Sequence, residues 1–294
     1  MNVLVLGGTK YFGKRLVSLL LEKRYKVTLA TRGNAGDSFG DRVQRCRLDR
    51  EARQSLQALA ESGNWDIVFD QICYSSSEAL NSCEVFAGRV GKYIHTSTGS
   101  VYVTDGERSE KDFDPFHYPV RIGSQADFEY GEGKRQAEAV FFQLAQFPVA
   151  AMRIPIVLGP DDYTGRLEFH IDHIREGRPI VISNLNSETC FINSSEAARF
   201  LLWLAEGTAT GPLNACSDGR ISIRKIIETI EEKLGRKAEV VKQGLAVDAS
   251  PFVGSTSRFN NNSYAESLGF QFESLNSWFP NLVTELIDKA NIGA

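Results

Sequence analysis

Short apolar runs alternate with amphipathic segments along the first 160 residues. Residues 3–6 form a continuous apolar run that ends at Gly7, which is typical of a strand buried on both faces of a parallel sheet. Residues 14–23 then carry leucine and valine at helical spacing. The same alternation predicts further strands at 26–30, 45–48, 66–70, 92–96 and 149–158, and helices at 52–62, 77–87 and 130–146. This order predicts an α/β fold with a Rossmann-type, doubly wound parallel sheet.

The pattern is looser after residue 160. It predicts helices at 168–176, 195–206, 222–234 and 276–290, and strands at 179–182 and 213–215. Ser194 or Ser195 is a suitable N-cap for the second of these helices. We expect a dinucleotide-binding domain over 1–160 and a smaller C-terminal α/β substrate lobe over 161–294, with the helix near 195–206 packed back on the first domain. The polar segment 99–127 is predicted to be a long loop beside the active site.

Composition and charge narrow the class of protein. Hydrophobic residues make up 42% of the chain and charged residues 24%, which predicts a packed core. The formal net charge of −4 argues against a nucleic-acid-binding surface. The five cysteines are odd in number and form no C-x-x-C pair, so we expect free thiols in a reducing compartment. Since no signal-peptide pattern and no apolar run of membrane length is seen, we expect a cytoplasmic protein without a membrane partner.

A glycine-rich turn follows the first predicted strand and consists of Gly7, Gly8, Thr9, Lys10, Tyr11, Phe12 and Gly13. Glycines at such a turn let backbone N–H groups approach a pyrophosphate, and the helix that follows adds the positive end of its dipole. The motif requires this strand–turn–helix context. The segment therefore predicts a dinucleotide-binding loop. The alternative is a tight turn that binds no ligand.

The end of the second predicted strand bears on the choice of dinucleotide. An acidic residue there would bond the ribose 2′-hydroxyl of NAD, whereas an arginine suits the 2′-phosphate of NADP. The strand is followed by Thr31 and Arg32 with no acid, and Lys10 could reach the same phosphate from the loop. We therefore favour NADP(H) as the cofactor, with NAD(H) as the alternative. Both cations could also simply face solvent.

Tyr130 and Lys134 form a second candidate site. They lie four residues apart at the start of a predicted helix, so their side chains share one face. A nearby ammonium favours the phenolate form of a tyrosine. Tyr130 could then exchange a proton with a substrate hydroxyl while hydride moves to or from the cofactor. The fifth predicted strand, which precedes this helix, delivers hydroxyl side chains to the cofactor crevice.

In this order the segments resemble the extended or atypical short-chain dehydrogenase/reductase superfamily, and within it the NAD-dependent epimerase/dehydratase group. The matching segments, which run through nearly the whole chain, are 7–13, 48–49, 97–102, 130–134, 153–160, 191–197 and 213–214. By that resemblance the catalytic residues are Thr98, Tyr130 and Lys134. The resemblance further implies cofactor contacts from Leu48, Asp49, Ile72, Cys73, Thr96, Tyr130, Lys134, Pro155 and Val157. It implies substrate contacts from Ser100, Tyr102 and Ile156.

The substrate-binding positions depart from the family pattern. Nucleotide-sugar epimerases usually carry an asparagine three residues after the arginine of the sixth strand, where this chain has Ile156. They usually carry an arginine for the diphosphate before the aromatic residue that matches Phe191, where this chain has Thr189 or Cys190. A buried diphosphate without a cation is costly, so a UDP-sugar is less expected than the family alone implies. Lys10, in place of the middle glycine, also occurs in an atypical subgroup that includes sugar-epimerase-like chloroplast proteins associated with RNA.

The leading hypothesis is an NAD(P)-dependent oxidoreductase or epimerase/dehydratase that acts on a secondary alcohol or ketone carbon of a small molecule, for example a sugar or sugar derivative. The alternatives are a non-catalytic dinucleotide-binding sensor and an RNA-associated relative. His170, Asp172 and His173 have spacing near that of metal ligands, but a structural helix is favoured and no metal site is predicted. By analogy with relatives, helices 77–87 and 130–146 could form the seam of a homodimer.

Overall fold

The computed structural model describes residues 1–34, 36–252 and 255–292. Its helices are α1 (Tyr11–Glu22), α2 (Arg53–Glu61), α3 (Ser76–Val85), α4 (Tyr130–Leu144), α5 (Arg166–Glu176), α6 (Ser194–Glu206), α7 (Ile223–Leu234), α8 (Ser263–Ser267) and α9 (Leu275–Ile292). Its strands are β1 (Asn2–Leu6), β2 (Lys26–Thr31), β3 (Gln44–Arg47), β4 (Trp65–Asp70), β5 (Val90–Thr98), β6 (Gly106–Arg108), β7 (Val149–Ile154), β8 (Ile156–Leu158), β9 (Pro179–Val181), β10 (Glu188–Thr189), β11 (Phe191–Asn193), β12 (Gly211–Asn214), β13 (Ile221–Ser222), β14 (Glu239–Val241) and β15 (Arg258–Asn260).

Seven parallel strands form the main sheet in the order β12-β7-β5-β4-β1-β2-β3. The strand order reverses between β1 and β4, which opens a crevice at the carboxyl ends of these strands. Helices cover both faces of the sheet. The predicted α/β fold class with a Rossmann-type, doubly wound parallel sheet is confirmed.

The continuous apolar run of β1 is explained by its two buried faces. Val3 and Val5 pack in one apolar cluster with α1 and α6, whereas Leu4 and Leu6 pack in another with α2, α3 and α4. All four side chains are buried. A strand between two layers of helices has no polar face, so its sequence does not alternate.

The chain returns to the main sheet after residue 160. Helix α6 packs against α1, and β12 pairs with β7 as its outermost strand. Asn193, rather than Ser194 or Ser195, caps α6, because its side-chain oxygen accepts a hydrogen bond from the backbone N–H of Ser195 at 2.8 Å. A separate apolar cluster lies among α5, α7 and α9. The division at residue 160 into two domains stays a prediction.

Two predicted boundaries near the crevice are wrong. The predicted strand 149–158 is two strands, because Pro155 has no N–H to continue the ladder. Strand β7 lies in the main sheet, whereas β8 pairs with β11. The predicted helix 14–23 begins earlier, at Tyr11, so the loop after β1 is short.

The predicted loop 99–127 contains a strand, β6. This strand pairs in parallel with β15, so that Arg108 lies opposite Asn260 in a four-stranded sheet of order β13-β10-β15-β6. The pairing holds this part of the segment against the crevice. In the parts of the chain that the structure describes, no helix combines the length and the apolar character needed to cross a membrane.

Candidate functional site

A cleft of about 1320 Å³ lies at the carboxyl ends of β1, β4 and β5. Most of the residues predicted to form the site line it: Gly7, Gly8, Thr9, Lys10, Tyr11, Phe12, Arg32, Leu48, Asp49, Ile72, Thr96, Thr98, Ser100, Tyr102, Tyr130, Lys134, Pro155, Ile156 and Val157. Gly13 and Cys73 are not among its lining residues. The structure thus brings the predicted cofactor, catalytic and substrate residues to one cleft.

The loop after β1 is shaped to receive an anion. Gly7 and Gly8 have φ of 95° and 87°, which favours glycine. Helix α1 begins directly after the loop, with Lys10 at its N-cap and no side-chain hydrogen bond that caps it. Its first turn contains no acidic residue. The backbone N–H groups of this turn are therefore available to the pyrophosphate of a dinucleotide.

Gly13 allows close packing beneath this loop. A Cβ at Gly13 would lie 2.8 Å from the Cα of Gly8 and would overlap the Oε1 of Gln71. Gln71, which sequence reasoning did not select, lines the cleft. Its Nε2 is buried and has no partner among the described residues. An amide donor left free beside the glycine loop fits a dinucleotide phosphate or ribose.

The far end of the cleft is suited to the adenosine part of a dinucleotide. Arg32 and Asp49 are exposed there, whereas Leu48 is buried. Arg50, which was not predicted, is also buried and lines this end. Its Nη2 donates to the carboxylate of Asp70 at 2.8 Å, so its charge is balanced inside the protein. The Nε and Nη1 of Arg50 have no partner among the described residues. Arg32 offers an exposed guanidinium to the cleft.

Lys134 is buried at the centre of the cleft. Its Nζ donates hydrogen bonds to the carbonyl oxygens of Cys73 at 2.7 Å and Thr96 at 2.8 Å. It also lies 4.5 Å from the ring centroid of Tyr74, another residue that the sequence did not indicate. The Cys73 thiol is fully buried, so its carbonyl oxygen is the atom that takes part. Lys134 thus joins the ends of β4 and β5.

Tyr130 begins α4, and its side chain is 53% exposed in the open cleft. Its ring centroid is 6.5 Å from that of Tyr74. Burial raises the pKa of Tyr74 to about 12, so this second tyrosine stays a phenol. Tyr130 and Lys134 are one helical turn apart on α4, as predicted from their spacing.

Thr98 ends β5, and its hydroxyl is fixed by the turn that follows. Its Oγ1 accepts a hydrogen bond from the backbone N–H of Ser100 at 3.1 Å and donates to the Ser100 Oγ at 3.3 Å. Thr98 is mostly buried, whereas Ser100 is exposed. Two hydroxyl groups are therefore held next to each other on the cleft, where they can orient a substrate oxygen.

Tyr102 lines the cleft, but its hydroxyl belongs to a buried network. It donates to the Oδ1 of Asn214 at 2.6 Å and accepts from the Nη1 of Arg153 at 3.1 Å. Arg153 in turn donates to the carboxylate of Glu138 at 2.6 Å, and neither side chain of this pair reaches solvent. Glu138 also accepts from Ser97, the neighbour of Thr98. The ring of Tyr102, and not its hydroxyl, is offered to a substrate.

The predicted helix with two histidines is α5, and its histidines have partners of their own. The Nδ1 of His170 lies 2.9 Å from the carbonyl oxygen of Arg166, and its Nε2 lies 2.8 Å from the Ser250 Oγ. His173 contacts the carbonyl oxygen of Phe169 in the same way. Among the described residues no group of three or more His, Cys, Asp or Glu side chains is arranged to hold a metal ion.

Structural comparison finds solved proteins with this fold. UDP-glucose 4-epimerase of Thermus thermophilus, solved in complex with NAD, superposes with a TM-score of 0.72 at 19% identity over 98% of each chain. UDP-glucuronic acid 4-epimerase of Bacillus cereus, also in complex with NAD, superposes with a TM-score of 0.75 at 18% identity over 100% of this chain and 99% of that one. At these identities the likeness shows the fold.

Sequence comparison adds a relative and a family. The chloroplast stem-loop binding protein of 41 kDa b of Arabidopsis thaliana is 23% identical over 196 residues, which are 62% of this chain. The match covers 49% of that relative, so the chain spans about half of its length. The profile of the NAD dependent epimerase/dehydratase family matches residues 3–215. The chain therefore belongs to the NAD dependent epimerase/dehydratase family, whose enzymes are of the extended short-chain dehydrogenase/reductase type.

Proposed function

We propose that the chain is an NAD(P)-dependent epimerase, dehydratase or reductase that acts on a secondary alcohol or ketone carbon of a small, sugar-related molecule. The observation that carries the proposal is the shared cleft, in which Thr98, Tyr130 and Lys134 lie together with the glycine loop that follows β1. Family membership and the fold of the sugar-nucleotide epimerases support it.

Each of the three residues has a distinct part in the chemistry. Lys134 uses two of its three N–H groups on backbone carbonyls, which leaves one for a ribose hydroxyl. Thr98, with Ser100, orients the reacting oxygen. Tyr130 is the exposed acid–base group, which gives a proton to that oxygen or takes one from it. The bound nicotinamide would supply or accept the hydride.

We propose NADP(H) as the preferred cofactor, with NAD(H) as the alternative. Arg32 lies exposed at the adenosine end of the cleft, and Lys10 and Arg47 line the same cleft. A guanidinium can hold a 2′-phosphate with two parallel hydrogen bonds. The two structures named above were solved in complex with NAD, and paired kinetics with NADP and NAD measure the preference of this chain.

The experiment that tests the function is to purify the chain, identify its bound small molecules by mass spectrometry and follow the nicotinamide absorbance with a panel of sugars and alcohols. We expect a bound dinucleotide whose oxidation state changes with at least one member of the panel, transiently for an epimerase and permanently for a net reductase. A dinucleotide that never changes its oxidation state would favour the non-catalytic sensor.

One observation favours a second candidate function, the binding of a structured nucleic acid. The matched relative from Arabidopsis is named for stem-loop binding. The net charge of −4 weighs against it. A gel-shift assay with an RNA hairpin at two salt concentrations decides the matter, because a phosphate-contacting protein loses affinity steeply as salt rises. Our expectation is that no shifted band forms.

Assembly and location are also part of the proposal. We propose a cytoplasmic protein and a homodimer in which α3 and α4, which pack against each other, form the seam. Light scattering after size-exclusion chromatography tests the dimer, and fractionation of source cells tests the location.

A further inference from the structure

Arg108 occupies the wall of the cleft next to the catalytic positions. It lies on β6, lines the cleft and is only 8% exposed. Its Nη1 donates to the carbonyl oxygen of Gly99 at 3.3 Å, and Gly99 directly follows Thr98. Its guanidinium carbon lies 5.5 Å from the ring centroid of Tyr102. The pairing of β6 with β15 therefore brings a cation beside the end of β5.

Among the described residues no carboxylate oxygen lies within 4.0 Å of this guanidinium. Its Nε is buried and likewise lacks a partner there. Two other buried arginines do have a carboxylate partner, because Arg50 is paired with Asp70 and Arg153 with Glu138. Burial lowers the pKa of the Arg108 guanidinium, as it does for a cation that loses water without gaining an anion.

The acidic side chains nearest to Arg108 in the sequence are Asp105, Glu107 and Glu110, and each has another partner. Glu110 accepts a hydrogen bond from the backbone N–H of Asn214 at 2.7 Å. Asp105 accepts hydrogen bonds from the Nε of Arg258 and the hydroxyl of Thr256, both at 2.8 Å. Glu107 accepts from the side chain of Asn261. The Cys190 thiol also lines this wall, and its pKa is lowered by hydrogen bonds with Cys216 and the backbone N–H of Asn260 and by the charge of Arg108. Its single sulfur cannot accept the two parallel hydrogen bonds that a guanidinium offers to a carboxylate or phosphate. The charge of Arg108 is therefore available to an anionic ligand that enters the cleft.

We propose that Arg108 binds an anionic group of the substrate, a carboxylate or a phosphate, at the wall of the cleft beside Thr98. A buried, unpaired cation is costly, and a bidentate anion offsets that cost while using the orphaned Nε. The inference rests on the proposed function and gives it a substrate class, an acidic sugar derivative or a sugar phosphate. It also supplies a cation for the substrate, where the sequence shows Thr189 or Cys190 in place of the usual arginine.

The test measures equilibrium binding to the dinucleotide-loaded protein by calorimetry, without turnover. Glucuronate presents a carboxylate, glucose 6-phosphate a phosphate, and glucose is the neutral reference. We expect at least one anion to bind more tightly than glucose. Arg108→Gln should raise the Kd of that anion by about 10-fold to 100-fold. Arg108→Lys keeps the charge but loses the planar guanidinium with its paired N–H groups. Its Kd for the anion should lie between those of the unaltered protein and Arg108→Gln.

Arg220→Gln is the matched control. Arg220 also stacks on an aromatic ring, with its guanidinium carbon 4.7 Å from the Phe259 centroid, but it is paired with Glu188 and does not line the cleft. Its anion affinity should stay unchanged. Equal binding of glucose and both anions to the unaltered protein would overturn the inference, and so would an equal loss in both glutamine variants.

The failure of this inference can be told from the failure of the proposed function. Dinucleotide affinity, measured in the same samples, should be the same in Arg108→Gln as in the unaltered protein, which also shows that the variant is folded. If the anion preference holds and no substrate ever changes the nicotinamide, the binding site stands and the catalytic proposal falls. If turnover is found with a neutral sugar alone, the catalytic proposal stands and the inference about Arg108 falls.

Discussion

The Nζ of Lys134 lies 2.7 Å from the carbonyl oxygen of Cys73 and donates a hydrogen bond to it. The same ammonium bonds the carbonyl oxygen of Thr96 at 2.8 Å. The Cys73 carbonyl follows β4, and the Thr96 carbonyl lies near the end of β5. One side chain of α4 therefore links two adjacent strands at the edge of the cleft. Lys134 is consequently held in place before any ligand arrives, which is the condition for precise orientation of a cofactor ribose.

Lys134→Met should therefore lower both the stability of the fold and the affinity for the dinucleotide. Two buried carbonyl oxygens lose their donor, which should cost about 1–3 kcal/mol of the free energy of unfolding. The Kd for the dinucleotide should also rise. Denaturant unfolding and dinucleotide titration measure the two effects. Gln143→Met, which removes an amide that donates to two carbonyls of residues outside the cleft lining, is the control and should leave dinucleotide affinity unchanged. Unaltered dinucleotide affinity in Lys134→Met would contradict the assignment.

Tyr130→Phe should remove the proton-transfer group and leave the binding of the dinucleotide intact. A positioned acid or base contributes about 10²-fold to 10⁴-fold to the rate, so kcat should fall by at least about 100-fold. Tyr74→Phe is the matched control, because the Tyr74 ring already packs on Lys134 and burial keeps its hydroxyl protonated. It should retain most of the activity. Comparable losses in the two variants would refute the distinction between these tyrosines.

The parts of the site that follow from local sequence could be predicted. The glycine loop follows β1 and Thr98 is the last residue of β5. The topology of a parallel sheet brings such positions to one edge. Arg108 could not be predicted, because it enters the cleft only through the pairing of β6 with β15, whose residues lie about 150 positions further along the chain. Gln71 could not be predicted for a similar reason. Its position depends on the packing of its side chain against Gly13, which is distant in the sequence.

Gly13→Ala should impair the dinucleotide loop directly. The added Cβ would lie 2.8 Å from the Cα of Gly8, which is backbone and cannot move aside easily. Overpacking of this kind costs about 1–3 kcal/mol and should displace the loop. The expected result is a loss of dinucleotide affinity together with a lower melting temperature. Gly36→Ala, at a position where an added Cβ meets nothing within 4 Å, is the control and should show neither change. Normal dinucleotide affinity in Gly13→Ala would argue that this loop does not form the pyrophosphate site.

Arg32→Glu should shift the choice of dinucleotide from NADP towards NAD. The arginine can bond a 2′-phosphate, whereas a carboxylate at this place repels the phosphate and accepts a hydrogen bond from the 2′-hydroxyl. We expect the ratio of kcat/KM for NADP over NAD to fall by at least about tenfold, which corresponds to about 1.4 kcal/mol. Arg53→Glu, at an exposed position of α2 outside the cleft, should not change the ratio. A clear preference of the unaltered protein for NAD would show that Arg32 does not have this role.

His170 should make the stability of the protein depend on pH. Burial lowers the pKa of His170 from 6.5 to about 4, and both ring nitrogens have partners that suit the neutral ring. As the pH falls below the ordinary pKa of histidine, the unfolded chain takes up a proton at this residue that the folded protein does not. His170 should therefore lower the free energy of unfolding by about 2 kcal/mol between about pH 7 and about pH 5. The fully buried His95, whose pKa burial also lowers, should add to this decrease. Urea unfolding at a series of pH values measures it. His170→Gln should flatten the slope in this window, whereas His117→Asn, which alters an exposed histidine, should not. An unchanged slope in His170→Gln would mean that other groups cause the acid sensitivity.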